Sequence, residues 1–142
     1  MTQCRIYVLG SLHNPLVPRV GRILRDEGHL VFDEWYSAGP DADKHWRDYE
    51  QARGHSLGEG LFSREAGNTY RFDKDFLDWA TIGVLVLPAG KSGHLELGYL
   101  IGRRIKTYVL LDKEPETWDL MYRLTSGGVF YSIEDLCEQL KD

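Results

Sequence analysis

Apolar and polar positions alternate along the chain between two kinds of pattern. Arg5-Ile-Tyr-Val-Leu9 is a short apolar run ending at Gly10-Ser11, which predicts a buried strand followed by a turn. From Pro15 to Glu27 the apolar Leu16, Val17, Val20, Ile23 and Leu24 recur at helical spacing, and Gly28 closes that helix. His29-Leu-Val-Phe-Asp33 predicts a second strand. The polar and aromatic stretch 37–61, broken at Gly39-Pro40, predicts a short helix around Ala42–Ala52. A longer helix follows over Glu65–Ala80, with Phe72, Phe76, Leu77 and Ala80 as its inner stripe. Ile82-Gly-Val-Leu-Val-Leu87 is the most apolar strand, His94–Arg104 a helix, and Lys106–Leu111 another strand. A helix near Pro115–Leu124, a short strand at Val129–Tyr131 and a last helix from Ile133 complete the pattern. The strands are continuous apolar runs and alternate with helices. That combination implies a parallel sheet covered on both faces, in a single doubly wound α/β domain of about five strands spanning residues 1–142.

Bulk composition narrows the function classes. The chain has 142 residues, 42% of them hydrophobic and 27% charged, with a net charge of −5. An acidic balance argues against a dedicated nucleic-acid binder. No apolar run approaches membrane-spanning length, and the strand-like run that follows Met1-Thr-Gln-Cys-Arg leaves no leader-like segment. Cys4 and Cys137 are far apart and lack metal-ligand spacing, which is expected of reduced, mostly buried thiols in a cytoplasmic protein. The five histidines form no HExxH pattern, so no metal site is expected.

In doubly wound sheets, ligands sit at the carboxyl ends of the strands near the switch in strand order. This rule selects Gly10–Asn14, Asp33–Trp35, Pro88–Glu96 and Asp112–Asp119. Within the third, "GKS" at Gly90–Ser92 resembles the end of a phosphate-binding P-loop. Leu85, a strand residue, stands where that loop needs its first glycine, so the wrap of N–H groups cannot form. Glu96 is expected in the first turn of the following helix, as a capping residue behind Gly93 or as a nucleophile or electrostatic stabiliser at the mouth of the sheet. Tyr7 reads as a core tyrosine on composition. Asp73 lies early in the long helix, and its neighbours Asp75 and Asp78 read as solvated positions. Ser11 is placed to donate to a substrate oxygen or to cap the helix after it. Trp35 and Trp46 are placed to stack on a planar base or to pack at the surface, and Lys91 reads as a solvated lysine.

Three elements together carry a resemblance: "IYVLGS" at Ile6–Ser11, Asp73 ahead of the third strand, and "GHLELGYLIG" at Gly93–Gly102. They resemble the nucleoside 2-deoxyribosyltransferase family, which includes the 2′-deoxynucleoside 5′-monophosphate N-glycosidases. The resemblance covers Arg5 to about Met121, except for 36–68. It implies a flavodoxin-like domain that breaks the N-glycosidic bond of a nucleoside or nucleotide without a metal or organic cofactor. By matching, it implies Glu96 as nucleophile with retaining chemistry, Tyr7 positioning that glutamate, and Asp73 handling the proton at the leaving base. It also matches Ser11 to the hydrolases' first phosphate serine, with Ser92 two residues from the place of the other, while Gly10, Asp33, Trp35 and Gly93 are expected as substrate contacts from their place at the strand ends. Asp119 and Met121, in "DLM", match a segment that reaches into a neighbouring subunit's site, which implies a homodimer or higher homo-oligomer. The chain departs from the pattern at Gly90, where the transferases carry an acid and the hydrolases a phosphate-binding serine, and at Asp119, where the transferases carry asparagine. Two other readings of the same fold remain: a non-catalytic module for a nucleotide or ADP-ribose-like ligand, and an NAD-cleaving glycohydrolase.

Overall fold

A computed structural model of the chain describes residues 3–142. Five strands, β1 (Arg5–Leu9), β2 (Leu30–Phe32), β3 (Ile82–Val86), β4 (Lys106–Leu110) and β5 (Val129–Phe130), form one parallel sheet in the order β2-β1-β3-β4-β5. This is the flavodoxin-like α/β arrangement expected from the continuous apolar runs. Because side chains alternate across a strand, each run feeds two cores. Ile6, Val8, Val84, Val86 and Leu110 face α1 (Leu16–Asp26) and α6 (Ile133–Leu140). Tyr7, Leu9, Leu85, Leu87, Val109 and Leu111 face α4 (Arg64–Trp79) and α5 (Lys91–Gly102). Chain order reverses between β1 and β3, so the switch point, where doubly wound sheets open a crevice, lies at their carboxyl ends.

The stretch between β2 and α4 folds as a 3-10 turn over Glu34–Ala38, α2 (Ala42–Ala52) and the short α3 (Leu57–Gly60). The last of these is set by a reciprocal capping box between Ser56 and Glu59.

Two expectations are corrected. The segment expected as a helix over Pro115–Leu124 is irregular up to Asp119 and then forms only a 3-10 turn over Leu120–Leu124. There the Asp119 carboxylate accepts from the Met121 amide, a local bond that competes with helix continuation. The helix after β3 begins at Lys91 behind Gly90, not at His94. Gly93 is therefore inside its first turn, and Glu96 is in the second, beyond capping reach. Among the described residues, no helix is long and apolar enough to cross a membrane.

Candidate active site

The crevice is built on Tyr7. Its ring points from β1 toward the α4–α5 side and is fully buried, 5.0 Å from the Phe32 ring. Phe32 in turn stacks on Phe76 of α4, with centroids 4.0 Å apart and planes within 6°. Phe72 closes edge-on against both. Asp73 follows Phe72 in the second half of α4, not early in it, and is half-buried.

The Tyr7 hydroxyl donates to Glu96 Oε2 at 2.8 Å, bridging β1 and α5. Burial, then the negative charges of Glu96 and Asp73, push the Tyr7 hydroxyl far above the usual tyrosine range, so it remains a donor. Burial pushes the Glu96 carboxyl up to about 7, the charge of Asp73 adding to that rise and the Tyr7 hydrogen bond opposing it. Burial alone pushes Asp73 up to about 6. Two carboxyls within electrostatic reach of each other thus titrate near neutrality, and over that range the pair holds one proton.

The floor beside this pair is bare backbone. A Cβ on Gly93 would stand 3.3 Å from the Gly10 amide nitrogen, so α5 and the end of β1 approach as closely as glycine permits. Ser11 follows. Its Oγ accepts from the His13 amide at 3.0 Å. With His13, Asn14, Pro88, Ala89 and Gly90 it lines a cavity of ≈ 250 Å³. Ser92 is exposed in the first turn of α5, where N–H groups lack intrahelical partners. Tyr7, Asp73, Glu96, Gly10, Ser11, Ser92 and Gly93 therefore gather at one end of the sheet around the α5 N-terminus.

The other expected contacts are differently placed. Asp33 is buried and committed to Arg25 of α1, with Nη2 to Oδ1 at 2.7 Å and Nη1 to Oδ2 at 3.3 Å. That pair is on the sheet face opposite the crevice, and a charge so paired is not available to a substrate. Trp35 donates its indole N–H to the Val8 carbonyl at 2.8 Å and packs against both cores, with its ring tip 4.0 Å from where a Cβ on Gly10 would stand, beside the crevice. Asp119 lies on the far flank of α5, where it lines a ≈ 190 Å³ cavity with Leu87, Leu111, Trp118, Tyr122 and Tyr131. Met121 is exposed.

Two features were not anticipated from the sequence. Asp78, read as solvated, accepts from the Tyr99 hydroxyl and pairs with Lys74 and Arg103, cross-linking α4 to α5 beside the carboxylates they carry. His94 bonds to Tyr122. The i,i+4 spacing of Lys74 and Asp78 was a readable signal; the contact between helices was not.

No family model matches the chain, and no curated protein is significantly similar to it. Solved structures do resemble it. A 2-deoxyribosyltransferase from the psychrotolerant bacterium Bacillus psychrosaccharolyticus is 19% identical, with a TM-score of 0.59, over 92% of this chain and 88% of that one. The CMP N-glycosidase BcmB of Clostridium botulinum is 12% identical, with a TM-score of 0.51, over 97% of this chain and 99% of that one. At these identities the likeness establishes the shared fold.

Proposed function

We propose that the protein cleaves or transfers at the N-glycosidic bond of a (deoxy)nucleoside or its 5′-monophosphate, with Glu96 as nucleophile and retention of configuration. The observation that carries this reading is the Tyr7–Glu96 hydrogen bond beside Asp73, at the switch point of the sheet. Departure of the base leaves an oxocarbenium-like sugar, which an adjacent carboxylate stabilises and captures. The base leaves more readily when an acid protonates it. In this mechanism Glu96 reacts ionised and Asp73 protonated. Positive charge developing on the sugar lowers Glu96, and a bound base desolvates Asp73 further, so substrate shifts the shared proton toward Asp73. Capture by Glu96 forms a glycosyl ester. Water or an acceptor base then attacks the anomeric carbon, its proton passes to the Asp73 carboxylate, and Glu96 leaves as the carboxylate.

The 5′ end of the substrate is assigned to Ser11, Ser92 and the free N–H groups of the α5 N-terminus, which also suit a phosphate. The exposed surroundings of Asp119 and Met121 support a second copy supplying them to this crevice. Two named neighbours of the same fold, one acting as a deoxyribosyltransferase and one on CMP, support the reaction class.

The test is a panel of nucleosides, 5′-monophosphates and NAD, with free base as the readout and added acceptor base separating transfer from hydrolysis. Base release from a nucleoside or monophosphate, abolished in Glu96→Ala with the fold intact, is expected. Release from NAD alone supports the glycohydrolase reading, and binding without release supports the ligand-binding module.

A further inference from the structure

His94 lies two residues ahead of Glu96 on α5 and has both ring nitrogens engaged. Nδ1 is 2.7 Å from the Gly90 carbonyl oxygen, and Nε2 is 2.7 Å from the Tyr122 hydroxyl. A carbonyl oxygen only accepts, so Nδ1 carries the proton. In the neutral ring Nε2 is then an acceptor, and the Tyr122 hydroxyl donates to it. The two rings also pack at a tilt, with centroids 5.7 Å apart.

Tyr122 belongs to the 3-10 turn Leu120–Leu124, which has no fully buried residue. Its other hydrogen bonds are local: the Asp119 carboxylate accepts from the Met121 amide, and Thr125 Oγ1 donates to the Tyr122 carbonyl. A turn this short has little stability of its own. Among the described residues, the His94–Tyr122 bond is the side-chain hydrogen bond that joins it to α5.

We infer that His94, held by the Gly90 carbonyl, is a positioning residue that tethers Tyr122 and so fixes the place at which Asp119 and Met121 are presented. The tether couples the segment offered toward a second copy to the helix that carries Glu96. Its consequence for turnover rests on the proposed function; its consequence for the segment does not.

The test uses Tyr122→Phe, which keeps the ring and removes the hydroxyl, together with His94→Ala and His94→Gln. A glutamine side-chain oxygen can accept from Tyr122 in place of Nε2. Amide hydrogen exchange at Met121, Tyr122 and Thr125 is expected to quicken about two- to tenfold in Tyr122→Phe and His94→Ala, the range that one net hydrogen bond supports. The double variant is expected to go no further, and His94→Gln to return near wild type. KM for the accepted substrate is expected to rise several-fold in the two disrupted variants, with kcat within about twofold. Unchanged exchange in Tyr122→Phe overturns the tether. Faster exchange with an unchanged KM overturns the positioning role, as does a His94→Gln variant as impaired as His94→Ala. If the wild type releases no base from any substrate, the proposed function fails by itself, and the exchange results still decide the tether.

Discussion

At the scale of single residues, the account turns on where one proton resides. In the proposed mechanism the singly protonated Glu96–Asp73 pair is the reactive form, so kcat/KM is expected to peak between the two carboxyl values, about 6 and about 7, and to fall on both sides. The sign follows from the states themselves: below the lower value both carboxyls are protonated and the nucleophile is lost, and above the higher value the acid is lost. A pH profile of kcat/KM checks this, and a flat line from acid to alkaline pH contradicts it. Tyr7 tunes the same pair, because its hydrogen bond favours the ionised form of Glu96. Tyr7→Phe should therefore raise Glu96, move the alkaline limb to higher pH and reduce the fraction of molecules with the proton on Asp73. Loss of a hydrogen bond to a charged group is worth ~1.5–3 kcal/mol, so the maximal rate should fall about tenfold or more. A lowered rate with unmoved limbs would restrict Tyr7 to holding Glu96 in place. These electrostatic roles were only partly legible in the sequence. Tyr7 reads as core from its strand, and its buried ring bears that out; what its hydroxyl meets depends on a helix far along the chain. Asp33 misled because its pattern places it at a strand end, while its partner Arg25 is on the opposite face.

At the scale of elements, the strands were legible as apolar runs, β1, β3 and β4 being buried almost throughout, and helical spacing located α1, which Gly28 closes, and α4. The start of α5 was not. Gly93 looks like a breaker, but its lack of a side chain serves the contact with the Gly10 backbone, and a packing glycine carries the same letter as a capping one. The Leu120–Leu124 segment failed for a related reason: its apolar residues suggest a helical face, yet Trp118 and Leu120 are each 80% exposed, so apolar spacing there marks surface and not core. The Gly93 contact yields a prediction with opposite signs for stability and activity. Gly93→Ala replaces a poor helix former, worth about 0.5–1 kcal/mol in favour of the helix, but the added methyl has backbone against it and α5 must shift by a few tenths of an ångström. The melting temperature is expected to stay within a few degrees while kcat falls, since Glu96 rides on the displaced helix. Thermal denaturation and turnover of the same preparation check this, and full activity would show that the approach of α5 to β1 is not part of the site.

For the whole molecule, the fold leaves the crevice open on one side and an apolar edge uncovered on the other. Leu95, Trp118, Leu120, Met121 and Leu124 are exposed along α5 and the segment after β4. Exposed apolar clusters of this kind mark interfaces, and self-complementary pairing is the commonest arrangement. A homodimer or larger assembly is therefore expected by molar mass in solution, with Asp119 of one copy near the 5′ end of the other copy's substrate. In that arrangement Asp119→Asn keeps nucleoside turnover and improves acceptance of the 5′-monophosphate by removing a repulsion. A fully active monomer, or an unchanged substrate preference in the variant, would contradict the shared site. The central claim is that Glu96 forms a bond to the sugar. Its most direct measurement is a rapid acid quench during turnover, followed by proteolysis and mass spectrometry of the peptide that contains Glu96. The account predicts the added mass of one sugar, less its base, on Glu96 of the wild type and none on Glu96→Gln. Steady turnover with that peptide unmodified, or the sugar found on another residue, would contradict it.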